Sequence, residues 1–244
     1  MNPKPHLLGV LAGLFLSVGL VWSASLVSGA WVRIAEAQVI NVTGSARKNV
    51  QADLIVWRGQ FATEASDLLA AQRQLKADLG RVEAYLKANG ITNYLVSSIS
   101  IQELKATETL PNQIVQQKTT GYRLIQGVEV RSADVQRVAQ LERDSTVLVE
   151  QGVLFTPMPA EYIYTKAGET KVEMLAEATK DARARAEQIA QQGGRKIGQL
   201  KAARMGVFQI TPLYSVETRW EGINDTTALD KTVTAVVAAT FSMN

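Results

Sequence analysis

Residues 177–198 read EATKDARARAEQIAQQGGRKIG. Eleven charged or amide side chains and five alanines fill the run, and the pair Gly193 and Gly194 stops its periodic part. Just upstream, Thr170 and Glu173 stand in the T-x-x-E pattern of a capping box, which predicts a helix starting there. From that point Val172, Leu175, Thr179, Ala182, Ala186 and Ile189 recur at alternating steps of three and four. This is a narrow stripe of mostly small residues, suited to lying close against a sheet or another helix. The charges largely answer one another. Asp181 precedes Arg185 by one helical turn, the favourable order, and the acids sit early and the arginines late, as the helix dipole prefers. The run is therefore read as the outer face of a packed scaffold, not as a surface built to grip a ligand.

Downstream, residues 199–210 are predicted as a strand. Residues 232–243, TVTAVVAATFSM, have the β-branched density of a central one. Between them lies TPLYSVETRWEGINDTTALD, a long loop with Trp220 and Tyr214. Exposed aromatics on a loop suit partner docking. The competing expectation is that Trp220 folds back on the sheet, since large aromatics are mostly well buried.

Upstream, strand-like and helix-like segments alternate. Residues 39–44 and 50–62 flank the polar SARKN and are expected to pair as antiparallel neighbours. A helix is predicted over 67–89, with Leu68, Leu75, Leu79, Val82 and Leu86 inward and Gly90 just past its end. Residues 91–102 and 119–131 read as strands around a polar loop containing Pro111. A second helix over 134–151 places Val135, Val138, Leu141 and Leu148 inward and closes at Gly152. Residues 155–165 read as a strand that Pro157 and Pro159 confine to an edge or a bulge. Paired strands followed by a covering helix predict an α+β layered fold, a sheet covered by amphipathic helices, and not a doubly wound sheet.

At the N-terminus, no Asp, Glu, Lys or Arg occurs from Pro5 to Val32. A bilayer span needs about 20 mostly apolar residues, so residues 7–27 suffice. The other reading is a secretory signal, with Lys4 as its charged start and 28–30 (Ser-Gly-Ala) or 23–25 (Ser-Ala-Ser) as the cleavage site. The apolar run exceeds the length of an ordinary signal core, which favours a retained anchor over residues 1–33. Lys4 before the span, against Arg33 offset by Glu36 after it, favours a cytoplasmic N-terminus, with Trp31 at the outer interface. Gly9, Gly13 and Ser17 fall on one helical face, the small-residue spacing that allows two spanning helices to approach closely.

Composition narrows the chemistry. The 244 residues carry 26 Lys and Arg against 23 Asp and Glu, so the folded part is close to neutral and gives no basic face for nucleic acid. There is no Cys, which excludes disulfides and thiolate chemistry, and the single His is His6 in the N-terminal tail. Beyond it no imidazole exists to act as general base or metal ligand. Carboxylates such as Asp53, Asp134 and Glu161 are the remaining acid/base candidates, each more easily read as a strand-surface, cap or loop residue. No catalytic, cofactor-binding or metal-binding residue is assigned.

Three stretches together, VINVTGSARKNV at 39–50, TTGYRLIQGVEVRSADVQRVAQL at 119–141 and the late helix with which the reading began, resemble the SIMPL-domain family, the YggE-like bacterial periplasmic proteins. The likeness covers about residues 38–244 and is most specific at Ala178, Asp181, Ala182, Arg185, Ala186 and Ala190, followed by Gly194 and Gly198. The pair Gly121 and Tyr122, placed ahead of a strand, is a second match. The resemblance implies an α+β domain exported to the cell envelope, a tendency to oligomerise and a general link to oxidative-stress defence, with no catalytic residues or cofactor to carry over. The expected protein is thus a non-enzymatic, self-assembling envelope protein, held in the bacterial inner membrane by a single pass with its C-terminal domain in the periplasm. Soluble export after signal cleavage, a pore or ring assembly, and last a carboxylate hydrolase are its alternatives.

Overall fold

The computed structural model describes residues 5–35, 39–109 and 115–243. In chain order the elements are α1 (Pro5–Ala35), β1 (Val39–Gln51), β2 (Leu54–Ala65), α2 (Leu68–Ala88), β3 (Leu95–Val96), β4 (Ser100–Thr109), β5 (Val115–Ser132) and α3 (Val135–Asp144). There follow α4 (Val147–Glu150), β6 (Leu154–Pro157), β7 (Glu161–Ile163), α5 (Ala167–Gln192), β8 (Ile197–Met205), β9 (Gln209–Pro212) and β10 (Asp230–Met243). The fold is α+β, as the alternation of strand and helix patterns predicts. Within α1, the 24 residues Gly9–Val32 are long and apolar enough to cross a bilayer, and none is buried.

The described residues divide into two compact units, one formed by residues up to 46, 175–206 and 235–243, the other by 47–174 and 207–234. In the first, β10 lies between β1 and β8, the central position its β-branched density suggests. It pairs antiparallel with β8, Val237 opposite Met205. Ile40, Val42, Val237, Ala239 and Phe241 pack with Ala178, Ala182 and Ala186 of α5. The contact is close because the helix offers little more than Cβ atoms. At Gly44 even that is too much, since a Cβ there would run into the Ala178 carbonyl and the Ala182 backbone.

That closeness corrects the predicted stripe. The buried positions of α5 are Thr170, Met174, Ala178, Ala182, Ala186 and Ala190, an unbroken step of four, whereas Val172 and Ile189 are 73% and 56% exposed. Bulk hydrophobicity pointed to the wrong edge of the stripe, because a strand at this distance admits alanine and excludes larger side chains. The capping box is also absent. The helix already begins at Ala167, the Thr170 amide donates to the Lys166 carbonyl at 3.0 Å, and Glu173 pairs with Lys48 at 2.7 Å.

No turn forms at SARKN, and β1 and β2 occupy different sheets. β1 stays extended through this run because three of its residues find remote partners. The Ser45 amide donates to Asp181, Lys48 to Glu173, and the Thr232 hydroxyl to Asn49. Where such partners exist, a polar run need not reverse the chain.

In the second unit the sheet order is β3-β5-β2-β6, with β4 also on β5 and β7 also on β2. β2 and β5 pair antiparallel from Ile55 opposite Ser132 to Ala65 opposite Tyr122. Trp57, Phe61, Leu75, Leu86, Val130, Leu141 and Leu148 form one core with α2, α3 and α4. Asp67 caps α2 by accepting the Ala70 amide at 2.9 Å, and Gly90, at φ 77°, ends it as predicted. Leu75, Val82 and Leu86 are buried, Leu79 is partly so, but Leu68 faces outward.

Five further expectations change. The helix over 134–151 breaks after Asp144, where the amide and hydroxyl of Ser145 both donate to the Glu142 carbonyl; its four inward residues are nonetheless all buried. The polar stretch after residue 102 is largely strand, since β4 and β5 form a long antiparallel hairpin; Pro111 lies outside the described residues. Gly121 stands inside β5 and not ahead of a strand, where a Cβ would meet the Ala65 carbonyl at 2.6 Å. The strand over 199–210 is two, β8 and β9, parted at Gly206, whose amide donates to the Val236 carbonyl at 2.8 Å. The edge segment divides likewise at Pro159 into β6 and β7, both along β2.

Candidate functional site

The three candidate carboxylates do not converge on shared chemistry. Asp53 accepts the amide and hydroxyl of Thr165 at 2.7 and 2.9 Å. Burial raises its carboxyl, but those two donors outweigh it and hold the group below its ordinary value. Asp134 is the N-cap of α3, accepting the Arg137 amide at 3.2 Å. Glu161 pairs with Arg58 at 2.7 Å. Each is engaged by its own partner.

Arg58 belongs to a network that sequence reading missed. Directly across β2 and β5, it donates through Nε to Glu129 at 2.6 Å, and Glu129 takes a second guanidinium from Arg131 at 2.6 Å. Arg58 holds the Glu129 carboxyl below its usual range, helped by Arg131, and Glu129 in turn raises Arg58. The signal was legible in VEVRS at 128–132, whose alternation sets Val128 and Val130 inward and Glu129 and Arg131 on the opposite face. A groove of about 510 Å³ lies beside the network, lined also by Leu95, Val96, Ser97 and Met158. With both oxygens of Glu129 occupied, the cluster is arranged to hold two strands together, not to exchange protons.

A second groove, about 280 Å³, lies under the 211–230 loop between Arg47, Asn49, Thr232, Thr234 and the Tyr214 to Thr218 segment. Tyr214 has a left-handed φ of 66°, unusual for a bulky residue. Trp220 does not fold back on the sheet. It is 84% exposed, because the loop satisfies itself locally: Gln209 accepts the Arg219 amide and donates to its carbonyl. Farther along, the loop is pinned by a buried ion pair. Lys231, fully buried, donates to the Asp225 carboxylate at 2.6 Å and to its carbonyl at 2.7 Å. Burial alone would raise Asp225, but Lys231, with Thr227 and Ala228, holds it at about 2. The turn residues near Asn224 were visible in the sequence; that a lysine six residues on from Asp225 would be buried against it was not. Among the described residues, no three His, Cys, Asp or Glu side chains gather as a metal site would require.

Set against known proteins, the folded region has one decisive match. The family model SIMPL, described as "Protein of unknown function (DUF541)", matches residues 40–241. The chain belongs to the SIMPL family. No curated protein matches it. Likeness to solved structures is weak. An amidase of the hydantoinase/carbamoylase family from Burkholderia phymatum is 11% identical, with a TM-score of 0.28 over 55% of this chain and 35% of that one. A putative aminohydrolase from methicillin-resistant Staphylococcus aureus is 14% identical, with a TM-score of 0.22 over 60% and 39%. The SIMPL chain thus spans little more than a third of each of these two proteins. An uncharacterized conserved protein from Listeria innocua is 8% identical, with a TM-score of 0.22 over 78% and 91%.

Proposed function

We propose that this SIMPL protein is a non-enzymatic scaffold of the bacterial envelope, held in the inner membrane by α1, with residues 38–244 in the periplasm, and active as an assembly of its own copies. The observation that carries the reading is Gly9–Val32, an apolar helix of spanning length with no residue buried. Such a surface requires lipid or other apolar cover. Lys4 on one side and Trp31 at the other end support a cytoplasmic N-terminus. The family resemblance extends the role to protection against oxidative stress; without Cys, that protection would not run through thiol chemistry.

The test is the intact mass of the protein taken from native membranes in detergent, followed by its native mass. The expected result is a chain that retains residues before α1, in a multimeric particle. A chain beginning near Ser25 or Trp31, recovered free in the periplasmic fraction, would replace the anchor with a signal peptide.

A further inference from the structure

The hairpin of β4 and β5 reaches beyond the rest of its sheet. β2 stops pairing with β5 at Tyr122, so residues 115–120 of β5 have β4 alone as neighbour, and among the described residues β4 pairs with nothing else. Residues 105–108 and 115–120 are exposed on both faces. A two-stranded ribbon without a packed face is marginally stable by itself. A free strand of this length also presents a row of unpaired amides and carbonyls to any strand that can add to it.

The charges on β4 say which strand fits. Glu103 and Lys105 share one face, 3.4 Å apart, with the half-buried Leu104 between them. If two copies of β4 meet antiparallel about a twofold axis normal to the sheet, each register centres on one residue. Centred on Glu103 or on Lys105, that residue faces its own like charge. Centred on Leu104, each Glu103 stands opposite Lys105 of the other copy, and the leucines meet in the middle. Among the described strands, β1 and β8 bound the first sheet and carry Arg47 with Lys48 and Lys201 with Arg204, with no acid on either, so two copies of either bring no opposite charges together. β6 and β7, at the far edge of the second sheet, are only four and three residues long.

We propose that the free edge of β4 is a self-association surface, pairing with β4 of a second copy in the register centred on Leu104. This rests on the self-assembly reading above and names the surface that performs it. The result is a closed, isologous pair in which the two sheets join across the twofold axis.

The chain has no cysteine, so single-cysteine variants of the full protein report the register cleanly. Opposed residues in an antiparallel pair have Cα atoms about 4.5–5.5 Å apart, within disulfide reach. Mild oxidation of Leu104→Cys in detergent is expected to give a covalent dimer, and Ala203→Cys on β8 is not. In the Leu104→Cys background, Glu103→Lys or Lys105→Glu alone should lower the cross-linked yield by about tenfold, since each places like charges opposite at two points. The double exchange should restore it. A particle that stays multimeric while Leu104→Cys fails to cross-link and the charge variants change nothing would overturn the β4 surface and leave self-assembly standing. A monomeric full chain would overturn both.

Discussion

The carboxylate of Asp181 accepts the Ser45 amide at 2.8 Å while pairing with Arg185 of its own helix at 2.9 Å. One acid thus serves both strand β1 and helix α5, at the point where Gly44 lets the two backbones come closest. The Ser45 amide is the main reason its carboxyl lies below the ordinary value, with Arg185 second. Gly44→Ala should therefore cost about 3 kcal/mol or more, since its Cβ meets helix backbone that cannot swing aside. Thermal unfolding of the purified protein measures this; a near-normal Tm would mean the strand and helix are not held that close.

The two tryptophans of the second unit should respond oppositely. Trp57 is fully buried with its ring 5.9 Å from Phe155, and Trp57→Ala should cost about 3–5 kcal/mol. Trp220→Ala should stay within about 0.5 kcal/mol, because the side chain is 84% exposed. Denaturant unfolding separates the two.

Lys231→Met should destabilise by about 3–5 kcal/mol, since it strands the Asp225 carboxylate without its buried counter-ion. The pH dependence follows from the same pair. The folded carboxyl lies at about 2, below its ordinary 3.8, so its stabilisation is full above roughly pH 4 and is lost as the pH falls towards 2. Acid titration of stability should show that loss in the wild type and a weaker one in Lys231→Met.

Tyr85 works at the opposite end of the scale. Its hydroxyl donates to the Leu141 carbonyl at 2.7 Å, and burial, reinforced by Asp144, raises it to about 12. Its contribution is present below about pH 10 and disappears as the pH rises through 12. Tyr85→Phe should cost about 1 kcal/mol at neutral pH and remove that alkaline loss, as read by chemical unfolding at both pH values.

Gly9 and Gly13 have open space where a Cβ would stand, so Leu at either strains nothing within one chain. If the anchors associate through this face with Ser17, Gly9→Leu and Gly13→Leu should lower the native mass in detergent. An unchanged mass would assign any assembly to residues 38–244 alone.

Much was legible from residue pattern. The apolar run of α1, the cap at Gly90, most of the inward face of α2 and all of that of α3, and the central place of β10 follow from local periodicity and composition. Periodicity records which side of an element is apolar, and local propensity records where it stops. The rest depended on partners far away in the chain. SARKN runs straight because Asp181, Glu173 and Thr232 meet it, and α5 buries alanines instead of Val172 and Ile189 because a strand lies against it. Lys231 is buried because Asp225 waits for it, and the edge of β4 is free because, among the described residues, no strand other than β5 pairs with it. Sequence by itself determined the class of fold and the apolar span; strand order, the depth of helix packing and the open edge were decided only in the tertiary structure, where distance in space replaces distance along the chain.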